Sequence, residues 1–590
     1  MHNRNFVKRV ITWILICMIS IGLFTACNER KSKEVQKPQD TVASTAAPGE
    51  SSSQLPIVAK PLTLKMWAPM FKAAGTMNDF NGKVLYQEKE KLTGIHIDFI
   101  HPPVGQEKDQ LRLMVASNEL PDMILSSYVA NLEPNEANAI VQKQIQPLND
   151  IVEKHAPNYA KLIKEYPNLK AAVSTDAGEL LGFACADILD APSAGGLIIR
   201  KDWVEKLKLK IPETIDEWET VLSAFRDKDP NGNGKADEIP FAVRRDIDFV
   251  GFATAWGMEP HYFYMEGGID GNVKFGAIEP ACKDFVIKMA DWYAKGIFDK
   301  NILTSDEKLL NANVTSNRVG ASTNVDMDNL NSLMEKDPNF LMWPAPIPKL
   351  NSSSTRYYKS NSIMRPTRGG GKVLISGSCK YPVEAAKWLD FNYSDKGQLL
   401  YNFGKEGLSY NMIDSYPVYS DNIWKNPEGI SVSAAIAKYC MANDYEGFVL
   451  HPAYLDQNIG ATPAKRQSTK TWALPKDPGS KNNLSYPPAT LTAAEAAEDN
   501  RRMNDINTYV KEMLFKFIVG AEPIGNWDKF VNQLKTMGIE KSIKIRQDAL
   551  QRWKKNVKST DLKLAPYTPN FKNAKLNSKK GYEYLDADLK

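Results

Sequence analysis

The sequence predicts an α/β protein in two lobes, with a hinge between them and a helical carboxyl-terminal region. Three observations carry that expectation. The chain has 590 residues, more than one hydrophobic core accommodates. Strand and helix patterns alternate from Leu62 onward and again from about Gly195. Residues 491–553 read as mostly helical, interrupted at Gly520-Ala521-Glu522-Pro523.

The amino terminus comes first. MHNRNFVKR is basic, and an apolar run of fifteen residues, VITWILICMISIGLF, follows it. A bilayer-spanning helix needs roughly 20 residues, so residues 1–26 read as a signal peptide. Thr25 and Ala26 precede Cys27 in the manner of a lipoprotein cleavage site, although Phe24 stands where Leu is more usual. Cys27 is therefore the expected lipidation site and membrane attachment; an uncleaved anchor or plain secretion are the alternatives. Residues 27–58 contain no aromatic side chain and are rich in Ser, Lys, Glu, Pro and Ala. Such a segment buries too little apolar surface to offset its ordering entropy, and it reads as a flexible tether.

The body is of globular composition, 43% hydrophobic and 10% aromatic. The whole chain's formal charge is +4, three of it from Arg4, Lys8 and Arg9 at the amino terminus, with no long basic run, which argues against a nucleic-acid partner. Leu62, Leu64 and Met66 alternate with Thr63, Lys65 and Trp67 as in a strand. A helix around 83–92 stops at Gly94, and Ile95–Ile100 is a second strand. A helix near 106–116 and the strand 122–125 complete a β-α-β-α-β series, which implies a parallel sheet. Ligands of such sheets gather beyond the carboxyl ends of the strands, where Trp67, Ser126 and Tyr128 fall. Leu197-Ile198-Ile199 starts the second region, and Thr214 with Glu217 forms a capping box. Trp218, Val221, Leu222 and Phe225 then line one helix face. Gly369-Gly370-Gly371 reads as a hinge or turn, since no phosphate-binding GxxxxGK[ST] surrounds it. Cys185, Cys282, Cys379 and Cys440 include no CxxC and read as buried small hydrophobes.

The stretch DKDPNGNGKADE, 227–238, satisfies D-x-[DN]-x-[DN]-G-x5-E with Asp227, Asp229, Asn231, Gly232 and Glu238. A second register uses Asp229, Asn231, Asn233, the carbonyl of Lys235, Asp237 and the adjacent Glu238. Either supplies the oxygen ligands that Ca2+ takes. No nucleophile or base stands beside them, so the expected ion is structural.

Leu120-Pro121-Asp122-Met123-Ile124, Ile198-Ile199-Arg200-Lys201-Asp202-Trp203, the acidic loop entering Ile239-Pro240, and Gly397–Gly404 together resemble family 1 extracellular solute-binding proteins. More narrowly, they are similar to long lipoprotein members of Gram-positive bacteria and to alginate-oligosaccharide-binding proteins with a similar calcium loop. The resemblance covers nearly all of residues 60–555. It implies a periplasmic-binding-protein-like fold: lobe one from 59–190 and 372–430, lobe two from 191–371 and 431–560, and a tail at 561–590. It implies a monomeric receptor that captures an oligosaccharide between its lobes and passes it to the permease of an ABC importer. It also implies Asp229, Asn231, Asn233, Lys235, Asp237 and Glu238 as the calcium ligands, position by position. Sugar receptors stack aromatic rings on pyranose faces and direct polar groups at hydroxyls. Trp67, Ser126, Tyr128, Trp256, Trp343, Arg365, Tyr401 and Asn402 are the expected contacts; packing is the competing role for each. The rival function is a secreted glycan-active hydrolase or lyase with a structural calcium. No local carboxylate pair, HExxH or GxSxG singles out such chemistry.

Overall fold

The computed structural model describes residues 55–575 apart from 71–74, 128–130, 133–134, 192–194, 244–247, 324–326, 360–365, 442–444, 475–479, 559–560 and 573. The signal peptide, Cys27, most of the tether, Tyr128, Arg365 and the last residues of the tail lie outside the described residues. The tether's expected boundary at residue 58 falls too late. Ile57 and Val58 pack against the first core, and the Ile57 amide donates to the Thr93 carbonyl at 2.9 Å.

The chain forms two main sheets. Strands β1 (Leu62–Trp67), β2 (Ile95–Ile100), β3 (Met123–Ser126) and β4 (Phe183–Ala186) come first. β5 (Leu197–Arg200), β6 (Ile239–Ala242), β7 (Phe263–Glu266), β8 (Asn272–Phe275), β9 (Val319–Thr323) and β10 (Met342–Pro344) follow. β11 (Thr367–Ile375), the hairpin β12 (Tyr410–Ile413) and β13 (Tyr416–Tyr419), and β14 (Phe448–Val449) complete the set. The order β14-β4-β11-β3-β1-β2 makes a six-stranded sheet and β10-β5-β9-β6 a four-stranded one; β7 and β8 pair separately. The first sheet is parallel except for β11.

Local chemistry sets the helices. α1 (Val84–Thr93) ends at Gly94, whose φ of 75° is the left-handed value a helix C-cap favours. α2 is Glu107–Ser117, α3 is Glu136–Val141 and α4 is Pro167–Ala172. α5 (Lys201–Lys206) precedes α6 (Ile215–Asp227), which carries the expected capping box. α7 (Pro280–Ala294), α8 (Pro382–Asp390) and α9 (Asp395–Phe403) pack on the sheets. α10 (Pro452–Gly460) and α11 (Pro463–Thr471) precede α12 (Ala493–Ile518), α13 (Trp527–Thr536) and α14 (Ile539–Asn556). No helix among the described residues is long and apolar enough to cross a membrane.

Two large cores result. Phe183, Trp388, Tyr401 and Phe448 share the first, while Trp218, Phe252, Trp292 and Ile506 share the second. Residues 435–461, grouped with lobe two in the sequence reading, contribute Ala435, Phe448 and Tyr454 to the first core instead. Strand pairing decides this, because β14 extends the first sheet alongside β4. The three glycines also differ from expectation. They lie inside β11, where the register against β4 shifts, so they form a bulge and not a turn. A Cβ on Gly371 would come within 2.4 Å of the Tyr445 carbonyl oxygen. The four described cysteines are buried and free, as expected.

Candidate functional site

Three passages of the chain connect the two sheets. The chain leaves the carboxyl end of β4 and enters β5 at Leu197, then leaves the carboxyl end of β10 and enters β11 at Thr367. β5 is antiparallel and β6 parallel to β9, so Leu197 lies on the same edge as the carboxyl ends of β6 and β9. A third passage runs from β14 through α10 to α11, where Trp472 donates to the Ala345 carbonyl at 2.8 Å. All three passages join one carboxyl edge to the other.

On the first edge, Ser126 at the end of β3 donates to Glu136 at 2.9 Å, and Lys372 of β11 pairs with the same carboxylate at 3.0 Å. Burial opposes ionisation of Glu136, yet Lys372 and Ser126 outweigh it and hold the carboxyl below its ordinary range. Asp187, just past β4, lies beside Arg368, and burial pushes its carboxyl up against that neighbour's influence. Asn135 and Glu136, Leu181 ahead of β4, Thr490 and Leu491 before α12, and Asn500 within α12 line a cleft of about 190 Å³.

On the second edge, a 3-10 helix, Asp248–Trp256, follows β6. Its Gly251 sits against Leu197 and Thr323, which places it on the carboxyl edge. Trp256 is half-buried and packs edge-on to Phe285 at 5.4 Å. Gly257, with φ of 71°, lies under the Tyr357 ring at a separation that a side chain there would close to 3.0 Å. Lys359 bonds the buried Glu259 at 3.0 Å and stands 5.4 Å from the Tyr262 ring centroid. Trp256, Tyr262 and Tyr357 thus form an aromatic ledge with a charged pair beside it. Sequence reading singled out Trp256 but passed over Tyr357, Lys359 and Glu259. The available signal was aromatic and charged residues crowding two segments, 256–264 and 356–359.

The other expected contacts are held inside the protein. Trp67 is the last residue of β1, not part of a loop; it is fully buried under α2 and donates to Gln110 at 2.7 Å. Trp343 lies in β10, 4% exposed. Tyr401 and Asn402 are fully buried in α9. Tyr401 accepts from Lys89 at 2.8 Å and donates to Glu446 at 3.0 Å, while Asn402 donates to the Gln398 and Val449 carbonyls at 2.8 Å.

The acidic loop is a second site. Asp227 turns away, pairing with Arg226 at 2.6 and 2.8 Å. Asp229, at φ of 43°, accepts from the amides of Gly232, Asn233 and Gly234. Asn231 and Asn233 donate to Asp237 at 3.3 and 3.0 Å. This arrangement agrees with the second register. Both carboxylate oxygens of Glu238 are buried without a hydrogen-bond partner. Burial, together with the nearby Asp229 and Asp237, pushes its carboxyl above the ordinary range. A divalent cation is the group that such an orphaned carboxylate fits. Among the described residues no three His, Cys, Asp or Glu side chains converge in metal-binding geometry; most of the loop's remaining oxygens are amides and carbonyls.

Comparison with known proteins places this geometry. FusA, a fructooligosaccharide ABC transporter substrate-binding protein of Streptococcus pneumoniae, is 25% identical over 500 residues, 81% of this chain and 88% of FusA. Lipoprotein LipO of Bacillus subtilis is 24% identical over 348 residues, 55% of this chain and 63% of LipO. The crystal structure of alginate-binding protein AlgQ2 without calcium ion matches with a TM-score of 0.67 at 25% identity, covering 84% of this chain and 99% of AlgQ2. FusA in complex with kestose gives 0.67 at 22% identity over 84% and 100%, and an EF-hand mutant of FusA in complex with fructo-nystose gives 0.67 as well. These neighbours are two-lobed solute-binding proteins. The bacterial extracellular solute-binding protein family matches residues 74–399, more than half of the sequence, and the chain belongs to that family.

Proposed function

We propose that this protein is a lipid-anchored receptor that captures an oligosaccharide between its lobes and delivers it to an ABC importer. The observation that carries the reading is the set of three passages joining carboxyl edge to carboxyl edge. They support a reading in which the aromatic ledge of lobe two and the Ser126–Glu136–Lys372 group of lobe one face one another. Aromatic faces and hydrogen-bonded charged pairs are what sugar recognition uses. FusA and AlgQ2 support the ligand class. Trp256, Tyr262, Tyr357 and Lys359 are the contacts we assign, and Tyr128 and Arg365 remain part of the proposal from the sequence alone. Lobe closure traps the ligand. Cys27 attaches the body to the outer face of the membrane.

Ca2+ fits the acidic loop, held by Asp229, Asn231, Asn233, the carbonyl of Lys235, Asp237 and Glu238. Bound there it supplies charge compensation for Glu238 and holds the turn from α6 into β6. The calcium ion of AlgQ2 and the EF-hand of FusA support this assignment.

A melting-temperature screen tests the reading, using kestose, alginate oligosaccharides, oligogalacturonates and short peptides in millimolar calcium. A ligand at a hundredfold excess over its Kd stabilises by about 2.7 kcal/mol. Stabilisation by peptides with none by any sugar would refute the carbohydrate assignment. The glycan recovered afterwards is expected intact; shortened chains would favour the rival enzyme.

A further inference from the structure

The carboxyl-terminal residues beyond α14 return across the molecule. Leu562 is buried with Leu550, Trp553 and Val557 in a small core of lobe two. One residue later the chain reaches lobe one, where Asn168 of α4 donates to the Lys563 carbonyl at 2.9 Å. The next contacts fall on the β4-to-β5 passage. The Ala565 amide donates to the Ile188 carbonyl at 2.7 Å, the Asp190 amide donates to the Ala565 carbonyl at 2.9 Å, and Leu189 pairs with Ala565 in parallel.

The segment then grips the third passage. The Tyr567 hydroxyl and the Asn570 amide both donate to Asp456 of α10 at 2.9 Å, and Tyr416 donates to the other oxygen at 2.8 Å. Asp456 is 3% exposed. Phe571 lies 5.0 Å from the Arg466 guanidinium of α11. Ala574 and Phe571 pack so close to Gly460 that a Cβ there would stand 2.5 and 2.9 Å from them. Lys575 ends the run on Asp421 at 2.5 Å.

We propose that residues 562–572, with Ala574 and Lys575, form a strap laid over two of the three hinge passages, which restrains the angle between the lobes. The inference rests on the two-lobed receptor reading. Hinge closure concentrates its torsional change in connecting residues. Rotation at 188–190 or at 460–466 must therefore drag or break the strap's hydrogen bonds. Without the strap, the ligand-free protein samples wider angles.

The test uses no sugar, so its failure is separate from failure of the ligand assignment. Nitroxide labels on L113C and I287C, exposed positions in the two lobes, report the interlobe distance distribution. Hydrogen exchange reports the amides of 188–190. Truncation after Lys558 is expected to broaden the distribution and to speed exchange at Asp190 at least tenfold. If truncation prevents folding, Tyr567→Phe with Asn168→Ala is expected to shift both readouts the same way by a smaller amount. Unchanged readouts would overturn the strap, as would faster exchange with an unchanged distance distribution.

Discussion

Two buried carboxylates, one in each lobe, are treated in opposite ways. Glu446 in lobe one is 1% exposed and accepts from the hydroxyls of Tyr86 and Tyr401. Lys89 lies in the same network, bonded to Asn392 at 2.5 Å and seated 3.1 Å from the centre of the Trp388 ring. Burial drives the Lys89 ammonium well below its ordinary range while Glu446 works against it. Glu238 in lobe two has no side-chain donor for either oxygen, only the backbone of Asn231 and of Glu238 itself bearing on it, and lies near two other acids. Lobe one closes its buried charge with its own side chains; lobe two leaves one to be met from outside. The difference separates internal architecture from ligand dependence, because an uncompensated buried charge is costly until a partner arrives.

The comparison breaks most visibly at Lys89. Lys89→Ala removes the buried cation that acts on Glu446 through this network and is expected to cost roughly 3–5 kcal/mol, read as a lower midpoint in urea, with the calcium response intact. Next comes the loop. Millimolar calcium is expected to stabilise the protein by about 2–3 kcal/mol if its Kd lies near a hundredth of that concentration, and a chelator should reverse the gain. Glu238→Gln sharpens the point: it should raise stability in chelator, by removing an unpaired charge, and abolish the calcium shift. A variant that keeps the full shift would put the ion elsewhere.

A smaller effect concerns acid. His451 follows β14 in lobe one, and burial lowers its pKa to about 4. Its Nδ1 accepts from the Ala453 amide at 3.1 Å, which requires the neutral ring. The unfolded chain takes up a proton near pH 6.5, which the folded state refuses until about 4. Stability is thus fully present above 6.5 and declines as pH falls toward 4, by about 3 kcal/mol at most. His451→Asn keeps an acceptor for Ala453 and should flatten that decline; an unaltered pH profile would show that other groups govern it.

Local pattern explains which features were legible. The alternation of Leu62 to Trp67, the stop at Gly94 and the Thr214–Glu217 box depend on neighbours within a few residues, and each forms where expected. The loop was legible for the same reason, since its oxygens lie within twelve residues. Trp67 was misread because only the approach of α2, some 43 residues later, converts a strand end into core. Gly369–Gly371 was misread because its reason is the backbone of Tyr445, invisible from the glycines themselves. Tyr357 and Lys359 escaped notice because their partners Gly257 and Glu259 lie about a hundred residues away.

What the sequence determined alone was therefore everything set by short-range spacing: strand and helix periods, caps, and an oxygen-rich loop complete within itself. Only the tertiary structure decided which residues face one another across the lobes, because those encounters depend on strand order. β14 beside β4 carries residues 435–461 into lobe one, and the last described residues fold back over the hinge. Pairings between segments hundreds of residues apart leave no periodic trace in the chain.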